Sequence, residues 1–264
     1  MDSLIILFIV FFIVSALSSM IGMGGGILYV PILIFAGYNM QTAPNISLIL
    51  ILATSLAALR NFSKNNIVDW KLALVIDPPT DIMAFVGGYF NAFVSDNVLK
   101  GILACILIVA GIMMVKQKHQ NDKILNKNSS WYWHRSFNGY SYVVNLPVVL
   151  FTTALIGLFS GMLGITGGII KLPIMVLLCG VPMDIAVATS TVMVAVTALC
   201  GLLGHAASGN IDWKTGIILA IAAVIAGTIG SKISLKTDKN LLKKYFGIIV
   251  LLIACKIIFS LIFT

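Results

Sequence analysis

Two glycine clusters, each set in sequence as apolar as lipid, divide this chain into matching halves. Gly22-Met23-Gly24-Gly25-Gly26 is followed five residues on by Pro31, and Gly164-Ile165-Thr166-Gly167-Gly168, starting 142 positions after Gly22, is followed in the same way by Pro173. The repeat extends beyond the glycines. Asp69-Trp70-Lys71 recurs as Asp212-Trp213-Lys214, Leu99-Lys100 as Leu242-Lys243 and Gly87 as Gly230, all at a spacing of 143. Several anchors in one register identify an internal duplication. A break in a membrane helix at corresponding places in both halves of a chain marks a transport site.

The surroundings of these breaks exclude a soluble domain. Hydrophobic residues make up 59% of the 264, charged residues only 10%, and the mean hydropathy is +1.06, which is membrane composition. The net charge of +8 is then a matter of topology rather than of nucleic-acid binding, because cytoplasmic loops collect Lys and Arg. Cys105, Cys179, Cys200 and Cys255 lie in apolar runs without paired spacing or neighbouring ligands, and are expected to act as small packing residues. The first helix lacks a basic leader and a cleavage site and is expected to remain in the protein.

Apolar runs cover residues 3–21, 26–36, 44–62, 71–94 and 98–115, and then 147–163, 167–179, 185–205, 213–235 and 241–263. The run at 26–36 is too short to cross a bilayer of ~30 Å, so each glycine cluster either interrupts one long helix or turns a hairpin. Segments 71–94 and 98–115 read as ordinary spans. Residues 116–145 form a polar interval with Lys116, Lys118, Lys123, Lys127 and Arg135, whose Trp131-Tyr132-Trp133 cluster is expected at headgroup level. If each cluster turns a hairpin, the second half is inverted relative to the first. Arg60, Lys64, Lys71, the interval's cations and the Lys232–Lys244 group then all face the cytoplasm, as the positive-inside rule requires.

The glycine motif with its Pro, the small-polar elements Ala43–Ser47 and Ala186-Val187-Ala188-Thr189-Ser190, and Ile67–Lys71 with Ile211–Lys214, given twice and in order, resemble the sulfite exporter TauE/SafE family. The resemblance covers the chain outside the polar interval. It implies a membrane permease for small, often sulfur-containing anions such as sulfite or sulfoacetate, with no enzyme activity and no tightly bound cofactor.

The chemistry of the residues points the same way. Glycines let the chain leave helical geometry and free backbone N–H groups at the start of the next helix. Such groups bind anions without a basic side chain, although small residues also serve plain helix packing. The expected binding set is Gly22, Gly24, Gly25, Gly26, Asn45 and Ser47 in the first half, with Gly164, Thr166, Gly167, Gly168, Lys171, Thr189 and Ser190 in the second. Lys171 stands where the first half has Tyr29. A lysine inside an apolar segment costs ~2.5–3.5 kcal/mol on insertion scales, so it either serves the site or snorkels to the headgroups. His205 is a candidate for proton exchange, although a place at the interface fits it better. Asp77 and Asp81 flank Pro78-Pro79, while the matching stretch Ala220–Val224 carries no charge. They are coupling candidates for a proton or sodium ion, and one of them is in a position to pair with Lys171. Asp69 and Asp212 read as helix caps.

The expected protein is therefore an all-α, polytopic cell-membrane protein of two inverted repeats, each a glycine-interrupted hairpin plus three transmembrane helices. The first repeat covers 1–116, a cytoplasmic polar loop 117–145, and the second repeat 146–264. It is expected to move a small anion by alternating access, with no metal, no cofactor and no nucleic-acid partner. The alternatives are an anion channel, a carrier of a zwitterionic or cationic solute using Asp77 and Asp81, and, further off, an intramembrane enzyme.

Overall fold

A computed structural model describes residues 2–22, 24–115, 131–165, 167–209, 211–237 and 239–263. Lys116, Lys118, Lys123 and Lys127 of the polar interval, and Thr166 of the second glycine cluster, fall outside them. In a solvent without hydrogen-bonding capacity, each backbone polar group must be satisfied within its own segment, and the chain is accordingly helical. The first half comprises α1 (Asp2–Ile21), α2 (Gly26–Phe35), α3 (Ala43–Lys64), α4 (Trp70–Ile76), α5 (Pro78–Asn91) and α6 (Asp96–Val115). The second comprises α7 (Leu146–Leu163), α8 (Gly168–Pro173) with a π-helical turn over Ile174–Leu178, α9 (Met183–Ser208), α10 (Trp213–Ser234) and α11 (Lys239–Phe263). Among the described residues six helices are long and apolar enough to cross a membrane. Leu74, Ile82, Phe151 and Leu252 stand outward on the helices, a surface suited to lipid.

Both glycine clusters reverse the chain. Tyr29 of α2 packs edge-on against Phe11 of α1, and Ile6 and Leu7 line one cavity with Ala36, Gly37 and Tyr38. The residues before and after the first turn thus meet again at its open end. In the second half the Val143 N–H, just ahead of α7, donates to the Cys179 carbonyl, just past the π turn, at 3.1 Å.

The halves interlock. Helix α5 packs against α7 and α9 of the second half, and its counterpart α10 against α1 and α3 of the first. The repeated glycines make this approach close: Gly87 faces the Leu158 carbonyl of α7, and Gly230 the Ala16 carbonyl of α1, with no room for a methyl group at either. Helices α3 and α9 meet in the centre and run antiparallel. Leu48 lies against Gly201, whereas Ala58 and Phe62, farther along α3, cluster with Val187 and Val192 near the start of α9.

Two expectations need correction. Segment 71–94 is not one ordinary span: α4 ends at Ile76, Asp77 forms the break and α5 starts at Pro78. Adjacent prolines remove two helix donors and crowd the preceding turn. The polar interval is also not simply loop. Its described part folds into a β-hairpin, β1 (Tyr132–Phe137) paired antiparallel with β2 (Tyr140–Asn145). The signal was present in Asn138-Gly139 between aromatic and β-branched residues, with both turn residues at positive φ (50° and 79°) as a tight hairpin turn requires. Trp131 is exposed, but Trp133 packs on a cluster that includes Tyr142, Val149 and Cys179.

Candidate transport site

The turns are held by residues from opposite halves. Gly22 (φ 72°) ends α1 and Gly164 (φ 64°) ends α7, both in the left-handed region that glycine enters without a Cβ penalty. The Ser190 hydroxyl of α9 donates to the Gly22 carbonyl at 2.8 Å, and the Ser47 hydroxyl of α3 donates to the Gly164 carbonyl at 2.6 Å. Each serine is the repeat counterpart of the other, so each half fastens the other half's turn. Gly24, Gly25, Gly26, Gly167 and Gly168 are buried beside them, and the start of α2 carries no side-chain cap.

The rest of the expected binding set makes bonds away from the two turns. The Asn45 amide donates to the Gln41 carbonyl at 2.9 Å. The Thr189 hydroxyl oxygen accepts from the Asp69 backbone N–H at 3.0 Å. His205, in the last turn of α9, is 2% exposed, and its Nε2 lies 2.9 Å from the Gly161 carbonyl of α7.

Lys171 does not snorkel. It is 1% exposed, its Nζ pairs with Asp77 Oδ1, and it donates to Thr197 Oγ1 at 3.0 Å. The Thr197 hydroxyl in turn donates to Asp81 Oδ1 at 2.8 Å. Asp77 occupies the α4–α5 break, where the freed backbone lets its side chain point to Lys171 on α8. A mostly apolar cavity of about 180 Å³ is lined by Asp77 and Asp81 together with Trp70, Leu74, Pro78 and Val196. Thr197 escaped the sequence reading. Its counterpart at the repeat spacing, Thr54, lies 3.0 Å from the hydroxyl of Tyr29, the counterpart of Lys171. The first-half version of this network is neutral, Tyr29 being bonded also to Ser15 at 2.6 Å. Among the described residues no group of three or more His, Cys, Asp or Glu is placed to hold a metal ion.

The hairpin is tied to the transmembrane body through Asp69. Fully buried, this carboxylate caps α4 by accepting from the Lys71 and Leu72 N–H groups, both at 3.1 Å. It also accepts from Arg135 Nε and Nη2 at 3.0 and 3.1 Å and from the Tyr142 hydroxyl. Its repeat counterpart Asp212 caps α10 through Thr215. Burial alone would raise the Asp69 carboxyl, but the Arg135 and Tyr142 hydrogen bonds outweigh it and hold the group below the usual carboxylate range. Because the folded value is depressed, the stability it contributes is present above the ordinary carboxylate pKa and is lost as pH falls through the lower folded value. Arg135→Ala is expected to cost about 2 kcal/mol and to speed amide exchange at Val143 and Val144. Unchanged exchange would show that the hairpin is held by its apolar contacts alone.

The sequence pattern of the sulfite exporter TauE/SafE family matches residues 7–257. The chain belongs to that family. Its relatives include the probable membrane transporter protein YunE of Bacillus subtilis, 29% identical over 99% of this chain and 100% of its own length. A second, the probable membrane transporter protein YfcA of Escherichia coli K12, is 23% identical over 97% of this chain and 89% of its own length. No solved structure matches significantly. As a TauE/SafE protein the chain is a multi-pass membrane transporter and not an enzyme. In that setting Asp77, taken up by Lys171, is no free member of a catalytic acid pair.

Proposed function

We propose that this TauE/SafE transporter carries a small sulfur-containing anion, sulfite or an organosulfonate, by alternating access around the two glycine turns. The observation that carries the proposal is the reciprocal fastening of Gly22 by Ser190 and Gly164 by Ser47. It ties each break to a central helix of the opposite half, with Lys171 three residues beyond the start of α8 at Gly168. Two inverted repeats fit this arrangement. The duplicated helices α3 and α9 run antiparallel, and hairpins that return to their own side invert the second half. Two related conformations then follow from exchanging which half is closed. An oxyanion at either turn would be held by backbone N–H groups and by the hydroxyl of the serine that fastens that turn, once it releases the glycine carbonyl. The name of the family supports the substrate class.

A second reading, a zwitterionic sulfonate, is favoured by the second carboxylate at Asp81, which has no cation of its own among the described residues. A thermal-shift screen of the purified protein with sulfite, thiosulfate, sulfoacetate, taurine and acetate distinguishes the two. The expected result is stabilisation by sulfur anions over acetate. Stabilisation by taurine alone selects the zwitterion, and no response to any sulfur compound removes the substrate assignment.

A further inference from the structure

The fold shows in its own first half that the interior around each hairpin return closes without charge. Tyr29, Thr54 and Ser15 satisfy one another there through hydroxyls, and Ala220 and Val224 stand where the second-half site has Asp77 and Asp81. The second-half site instead buries Lys171 and Asp77 and holds Asp81 partly buried beside them, and ionisable groups within membrane-spanning segments are costly and mark function. Their count is unbalanced. Two carboxylates share one ammonium, and Lys171 is committed to Asp77, while Asp81 receives a hydrogen bond only from the Thr197 hydroxyl among the described contacts. Asp81 is only partly buried and lines the mostly apolar cavity of about 180 Å³, so it is not sealed inside the protein as Asp77 is.

We propose that Asp81 is a proton-binding site, and that its occupancy is linked to anion binding through Lys171. The proposal rests on the anion-transport reading above. The proton adds to the carboxylate oxygen that Thr197 does not engage, converting Asp81 to the neutral acid and changing the net charge of the network from −1 to 0. Lys171 is contiguous with the second glycine turn: its backbone N–H donates to the Gly167 carbonyl at 2.8 Å, and its Cε lies against the face of Gly167. An anion arriving at that turn meets a net negative network while Asp81 is ionised and a neutral one once it is protonated. Anion and proton therefore bind together and move together.

The other groups around Asp81 leave it this role. Helix α7, packed along α5, carries no ionisable residue from Leu146 to Leu163. Helix α4 contributes only Lys71, which is solvent-exposed, and α8 contributes Lys171. Helix α9 contributes Cys200, one turn beyond Thr197 and half-buried, His205, fixed to the Gly161 carbonyl, and Asp184 in its first turn.

The test uses Asp81→Asn, which keeps an oxygen to accept from Thr197, in full-length protein reconstituted in lipid. Infrared titration is expected to show a carboxylic-acid C=O band growing as pH falls in the wild type and missing in Asp81→Asn. In proteoliposomes, flux of labelled sulfoacetate, which stays ionised near neutral pH, is expected to be accelerated roughly tenfold by a pH gradient in the wild type and not in the variant. A band that persists in Asp81→Asn overturns the proton site. Wild-type flux indifferent to the pH gradient overturns the linkage while leaving anion transport intact. No wild-type flux of any sulfur anion, with the Asp81 band present, overturns the substrate reading and supports the proton site by itself.

Discussion

Replacing Lys171 with Met is expected to destabilise the protein by about 3–5 kcal/mol, the largest loss from any single change near the charged network. The reasoning turns on what remains rather than on what is removed. Asp77 is 4% exposed, and without Lys171 its carboxylate faces the α4–α5 break with no cation in reach among the described residues. A buried pair is often no better than a well-packed apolar substitute, but half a pair is much worse than either. The double change Lys171→Met with Asp77→Asn should therefore recover most of the loss, because it removes the stranded charge. The measurement is a double-mutant cycle in thermal or denaturant unfolding, with each variant in the same detergent. A double variant as unstable as Lys171→Met would mean that the lysine stem matters through its packing and that the ion pair is incidental.

This network also shows where the sequence was informative and where it was silent. The duplication, the reversing turns and the anomaly of two acids beside two prolines were all legible, because they are statements about residue type at fixed spacing. A pairing of one acid with Lys171 was legible too, since a buried cation needs an anion. That the partner is Asp77 depends on the α4–α5 break, which aims the side chain, and the break itself follows from Pro78 and Pro79 read as donors lost rather than as residues in a span. Thr197 was hidden because a single hydroxyl in an apolar helix most often bonds its own backbone, as the Ser55 hydroxyl does to the Ile51 carbonyl at 2.6 Å. The hairpin was missed for a different reason. Its composition was read for charge and aromatic belts, while Asn138-Gly139 carried the local signal. The crossing of Ser47 to Gly164 and Ser190 to Gly22 lay beyond any local rule, because it joins residues 117 and 168 positions apart, and only the packing of α3 on α9 brings them together.

The serine crossing leads to the second large expected effect. At Gly164 an alanine meets two obstacles at once. Its φ of 64° costs a side-chain-bearing residue about 1–2 kcal/mol, and the added Cβ would fall on the Cα of Pro44. Pro44 lies in the first turn of α3, one turn ahead of Ser47, so neither neighbour can retreat without moving the helix that fastens the turn. Overpacking of this kind adds about 1–3 kcal/mol. Gly37 supplies the control. It has a φ of 95°, and a Cβ there would meet nothing within 4 Å, so Gly37→Ala bears the conformational cost alone. Gly164→Ala should therefore lose about 2–5 kcal/mol and nearly all flux, and Gly37→Ala about 1–2 kcal/mol with flux retained. Gly22→Ala, whose Cβ would strike the Val187 carbonyl of α9, should behave like Gly164→Ala, because each turn is enclosed by the opposite half. Unfolding midpoints and flux measured on the three variants decide the matter. If Gly164→Ala and Gly22→Ala fall no further than Gly37→Ala, the turns are not gripped between the halves, and the site must be sought away from them.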